Sequence, residues 1–272
     1  ERIIYTVIED AGTAFALYYN DNQLDRAMTV ASEFPVFMTW HEDPELGSQL
    51  HQIYDPAVFY FGFNFSKPPF DNVHLRRAFS AIIDRQVFVE QIRQGRGVPM
   101  IHFTPPLTPY APPIDEIGIG FDPDYAREQL ALAGYLDCEG LPQIDIFTYT
   151  GAGTWAEFWA AYIEEHLGCS QALFNIEQIE FRSINPSTPM EDRPHTWTLG
   201  WGSDYPDPHK WLHAVLSCEN DNAFGRECNA IDDLMNEAAT EPDPDRRTQL
   251  YAEIEAAFFG ENGEFPIAPI YL

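Results

Sequence analysis

The stretch WGSDYPDPHKW, Trp201 to Trp211, sets two carboxylates and an imidazole among two Trp, one Tyr and two Pro. Those side chains admit four chemistries: an acid–base centre, a metal site, a ligand clamp, or a well-packed loop. His209 and His213 are spaced i, i+4 and would share one helix face, so with Asp207 they could ligate a metal and serve a metal-dependent hydrolase. Between the histidines, however, stand Lys210, Trp211 and Leu212, and no general base. Asp207 lies between Pro206 and Pro208 and reads as a turn residue. Asp204 follows a run of strand character. Walled by Trp201 and Tyr205, its carboxylate would sit in a low dielectric. On the residues alone, capping the turn is the commoner use of such an Asp. Trp197, Trp201 and Trp211 would stack on a sugar or on peptide side chains, or else fill the core.

Several enzyme classes leave no trace. The chain has no Gly-rich phosphate loop, no GxSxG elbow and no Cys/His nucleophile pair, and nothing in it calls for a cofactor. Paired acids such as Asp232/Asp233 carry little weight in so acidic a chain. The 272 residues hold 43 acidic and 15 basic side chains, a net charge of −28, which argues against nucleic acid or an anionic membrane as partner. With 45% hydrophobic and 14% aromatic residues the chain can build a sizeable core. It contains no apolar run long enough to span a membrane.

The elements that must position the stretch alternate between strand and helix. Residues 3–8 (IIYTVI) read as a strand, followed by a helical pattern through Ala14, Leu17 and Tyr18 and a second strand at 24–30. VFYFGFNFS, 58–66, is an aromatic strand. Asp71 is placed to cap a helix carrying Val73, Ala78, Ile82 and Ile83; Asp84 caps the next, which Gly95 stops. The Pro-rich segment 98–120 reads as an extended loop. Asp122, Pro123 and Gly134 bracket a further helix. A strand at 143–149, a helix from Trp155 to Leu167 and a strand at 176–181 imply a parallel pair. The strand TWTLGW, 196–201, delivers the opening stretch at its end. Two helices broken at Pro242 and Pro244, then the strand FPIAPIYL, close the chain. The fold class is α/β with a mixed sheet.

Cysteines 218 and 228 flank a loop rich in Asn, Gly and Glu and read as a disulfide in an oxidising compartment, against the alternative of two unrelated thiols. Cys138 and Cys169, each just before a strand, are candidates for a second bridge.

Several ordered blocks resemble the extracytoplasmic solute-binding proteins of ABC importers, in the oligopeptide- and dipeptide-binding class. They are FNFSKPPFDNVHLRRAFSAIIDRQVFVEQIRQGRGVP, FDPDYAREQLALAGY, WGSDYPDP, and the Asp-Arg-Arg helix leading to FPIAPIY. The resemblance implies one lobe of a two-lobed, type II-like periplasmic binding protein: a C-terminal ligand-binding lobe over 61–272, with residues 1–60 a remnant of the first lobe. It implies a non-enzymatic receptor that captures peptides outside the cell for import, with ABC permease subunits as partners. Its location would be periplasmic or extracellular, attached to the cell surface. Lacking an initiator Met and a signal-like start, the sequence reads as a piece of a longer protein, whose missing N-terminus would carry any lipid anchor. By the family pattern Asp204 pairs with the ligand's α-ammonium. Trp201, Tyr205 and Trp197 are read from the residues as its aromatic surroundings, and no metal is expected. Arg76 would be a structural ion-pair partner. An oligosaccharide receptor of the same family is the alternative, since sugar-binding members use aromatic platforms.

Overall fold

The computed structural model describes residues 2–4, 6–8, 11–19, 23–24, 42–49, 56–179, 188–220 and 222–272. They belong to two units, Glu1–Ile53 and Tyr54–Leu272. In the first, helix α1 (Ala11–Tyr19) matches the expected apolar pattern. The strand expected at 3–8 is not formed by the described residues there, and Ile3, Ile4 and Val7 are 78%, 71% and 91% exposed. A β-branched run becomes a strand only where a neighbour completes its ladder and covers a face, and the described residues supply neither. Of the strand expected at 24–30, only Leu24 is described.

The second unit is built on one sheet of five strands: β1 (Ala57–Phe63), β2 (Ile144–Tyr149), β3 (Phe174–Ile179), β4 (Thr196–Gly202) and β5 (Ile267–Tyr271). Their order is β3-β2-β4-β1-β5, with β2 parallel to β3 and β4, and β1 antiparallel to β4 and β5. The expected mixed sheet and parallel pair are both present. All of β1 lies in this unit, so residue 60, the boundary read from sequence, falls inside a strand.

The period-2 alternation of β1 divides the core. Phe59, Phe61 and Phe63 face helices α2 (Val73–Ala81), α4 (Pro123–Leu132) and α5 (Gly153–Leu167). Val58 and Tyr60 face α6 (Ala230–Thr240) and α7 (Pro244–Phe259). Phe61 stacks on Trp159 at 4.3 Å, and the Trp159 indole donates to the Phe79 carbonyl at 2.9 Å. Removing such a ring costs about 3–5 kcal/mol. Two glycines make room for large rings on the β1–β4 pair. A Cβ at Gly62 would meet the indole of Trp197 at 2.8 Å, and one at Gly200 would meet Phe59 at 2.6 Å.

Helix α2 starts one residue later than the sequence implied. Asn72, not Asp71, is its N-cap and accepts from the His74 N–H at 2.9 Å. Asp84 caps α3 (Arg85–Val87), which widens into a π-turn over Phe88–Ile92, and Asp122 caps α4, as expected. Arg76 is buried, but backbone carbonyls meet its guanidinium: Glu264 at 2.9 Å and Phe70 at 2.6 Å. No carboxylate among the described residues pairs with it, so the expected ion pair is replaced by a tie between α2 and the residues leading into β5. Cys138–Cys169 and Cys218–Cys228 are both disulfides, each with Cα atoms 5.2 Å apart. Among the described residues no helix is long and apolar enough to cross a membrane.

Candidate functional site

The topology brings several chain segments to one end of the sheet. β4 and β5 both run antiparallel to β1, so residues after β4, residues after β5 and the residue before β1 converge there. They line a cavity of about 480 Å³ together with part of the Pro-rich loop: Pro56, Val98, Pro105, Pro106, Leu107, Thr108, Ser203, Asp204, Tyr205, Pro206, Trp211 and Leu272. The crevice outside the carboxyl ends of strands is where open α/β sheets place ligands. The Pro-rich segment enters this site by pairing with β5: Val98 and Leu272 exchange backbone hydrogen bonds of 3.0 and 2.8 Å, and Met100 donates to Ile270 at 2.9 Å.

Asp204 stands on the rim, its side chain 75% exposed, with Lys210 Nζ 3.2 Å from Oδ1. The hydrogen bond from Lys210 holds its carboxyl below the ordinary carboxylate range, so it is anionic at neutral pH. Tyr205 is 44% exposed, and the Lys210 ammonium lies 5.4 Å from its ring. The Trp201 indole donates to the Lys210 carbonyl at 2.8 Å and ties the strand end to the turn that follows. Asp204 and Tyr205 thus meet at the cavity, while Trp201 braces them from behind.

Trp197 does not join them. It is 4% exposed and stacks on Phe224 with ring centroids 5.6 Å apart and an interplanar angle of 10°. Opposite Gly62, near the end of the β1–β4 pair that lies away from the cavity, it is core; being on the same strand as Trp201 gave it no place at the cavity end. Asp207 is a turn residue, as read from its prolines. It accepts from the His209 N–H at 3.0 Å, from Arg247 Nη2 at 3.1 and 2.9 Å, and from the Tyr251 hydroxyl at 3.3 Å. The rings of His209 and His213 stack at 4.6 Å, and His213 contacts Asn220 and Asn236. Among the described residues no group of three or more His, Cys, Asp or Glu side chains could hold a metal ion. Trp211, one of the three Trp with a stacking or a core role open to it, is 1% exposed and lines the cavity. Arg247 carried no signal in the sequence as a site-shaping residue, and Pro105–Pro106–Leu107 read only as part of a loop, although the Pro-Pro-Leu run was an available signal.

A mixed-sheet unit whose strand ends gather a rim carboxylate and an apolar cavity belongs, as a class, with the lobes of periplasmic binding proteins. Residues 1–223 match the model of "Bacterial extracellular solute-binding proteins, family 5 Middle", and the chain belongs to that family. It is similar to the periplasmic oligopeptide-binding protein OppA of Escherichia coli K12, with 26% identity over 239 residues, 84% of this chain and 41% of that one. The oligopeptide-binding protein OppA of Bacillus subtilis 168 is 28% identical over 226 residues, 79% of this chain and 40% of the relative. The chain thus spans about two-fifths of those proteins. Among solved structures, Haemophilus influenzae OppA in complex with RPPGFSPFR superposes with a TM-score of 0.70 at 22% identity, covering 97% of this chain and 51% of that one.

Proposed function

We propose that the unit Tyr54–Leu272 is the C-terminal ligand-binding lobe of a receptor that captures peptides outside the cell for an ABC importer, and that the residues before it belong to its first lobe. The observation that carries the reading is the position of Asp204: an exposed anion at the end of β4, on the rim of a cavity, in a family whose relatives include oligopeptide-binding proteins. In this reading Asp204 receives the α-ammonium of the peptide. Lys210 occupies the carboxylate in its absence, and an exposed pair of this kind is weak enough to be exchanged for another ammonium. Closure of a second lobe would then exclude water and strengthen the new pair. Trp201 fixes the strand end, and Tyr205 lines the approach. The receptor is not an enzyme; Asp207, the acid a hydrolase would need, is engaged by Arg247.

Half of the cleft is contributed by the other lobe, so titration calorimetry should find peptide binding in the two-lobed protein and weak or no binding by this chain alone. Micromolar affinity of the isolated chain would overturn the two-lobe account.

A further inference from the structure

Glu255 is fully buried on α7, yet it is tied to no Lys or Arg among the described residues. Its Oε2 accepts from the Phe103 N–H at 3.1 Å and its Oε1 from the Thr104 N–H at 2.7 Å; His102 Nδ1 stands 3.6 Å from Oε1. A carboxylate taken out of water is tolerated only where donors replace its hydration, and here two consecutive backbone amides do so. The tie spans 152 residues of sequence and fixes the loop just before Pro105 and Pro106. Those prolines have locked φ angles, so the loop's course is set once Phe103 and Thr104 are held. Phe103 adds a second anchor, packing edge-on against Tyr60 at 5.5 Å.

The segment so aimed ends on an outlier. Leu107 has φ 70° and is 101% exposed, a large apolar side chain in the left-handed region, held out beside the cavity. Backbone strain of this kind is characteristic of ligand sites. With Pro105 and Pro106 it forms an apolar wall, and Trp211, 1% exposed, lines the same cavity. Among the described residues that line the cavity, Asp204 is the one acidic side chain.

We propose that Glu255 is a positioning residue for a specificity wall, Pro105–Pro106–Leu107, that selects peptides whose first residue carries an aliphatic side chain beside the free ammonium. The inference rests on the reading of Asp204 as the ammonium partner. An aliphatic group gains by leaving water against the wall. An acidic first side chain would lose hydration there and meet the charge of Asp204 as well.

The test is calorimetry on the two-lobed protein with Leu-Gly-Gly, Gly-Gly-Gly and Glu-Gly-Gly, each with a free or acetylated amine. The unmodified protein should favour Leu over Gly by about tenfold or more, with Glu weakest. Leu107→Ala, at an exposed position, should leave the melting temperature unchanged and reduce the Leu-to-Gly ratio severalfold. Glu255→Gln puts an amide donor where one backbone N–H needs an acceptor; it should bring the ratio towards one while the preference for a free amine survives. A ratio near one in the unmodified protein, or a ratio unmoved by both substitutions, overturns the wall. A protein that keeps the Leu preference but does not distinguish free from acetylated amines supports the wall and removes the ammonium role of Asp204.

Discussion

The rim at Ser203–Tyr205 and the turn at Asp207–Trp211 are neighbours in sequence and present the same acid in opposite circumstances. Asp204 is 75% exposed and has a single lysine at 3.2 Å. Asp207 is 19% exposed and accepts from Arg247, from Tyr251 and from its own turn. A carboxylate whose acceptor sites are filled by the protein has nothing left for a ligand, whereas one with a single exchangeable partner does. The function of an Asp in such a motif is therefore set by the donors around it, and the prolines on either side of Asp207 help hold it where those donors converge.

The largest effect that sharpens this contrast is on stability. Asp207→Ala strands the half-buried Arg247 and should cost about 2 kcal/mol, a fall of roughly 5 °C in melting temperature. Asp204→Ala should shift melting by no more than about 1 °C, as for other exposed pairs. Equal shifts in the two variants would break the contrast.

Glu255 extends the contrast to a third acid, one saturated by backbone donors, and its neighbour His102 gives a smaller, pH-dependent effect. Burial pulls the His102 pKa down, but Glu255 and the Pro113 carbonyl outweigh it and leave the value above the ordinary 6.5. The folded state therefore holds this proton more tightly than the unfolded state. The stabilisation is complete below the unfolded value and lost as pH rises through the folded one. His195 and His209 are shifted down, by burial first and then by Lys67 and His213 respectively, and act with the opposite sign. The difference in melting temperature between the natural protein and His102→Gln isolates the term. It should shrink as pH is raised from about 6 to about 8; a difference that is flat or grows would contradict the assignment.

What could be read in the sequence was what depends on near neighbours. The Asp84 and Asp122 caps, the break at Pro242 and Pro244, the strand leading to Trp201 and the short Cys218–Cys228 loop are all governed by residues a few positions apart. The Asp71/Asn72 choice was missed because two good capping residues are adjacent and the helix register decides between them. The strand read at 3–8 is not formed by the described residues because pairing needs a partner that the run itself does not specify. Trp197 and Trp201 share a strand face, and only depth within the sheet separates core from rim. Glu255 was invisible for a stronger reason. It sits among several acids on an amphipathic helix, and its partners are backbone amides more than 150 residues away.

The most direct test of the account is a pair of titrations on the two-lobed protein carrying Asp204→Asn, one with a free-amine peptide and one with its N-acetylated form. The substitution keeps size and removes charge, so affinity for the free amine should fall by at least about tenfold while the acetylated peptide is little affected. An equal loss for both peptides, or no loss for either, would contradict the role of Asp204 as the partner of the ligand's ammonium.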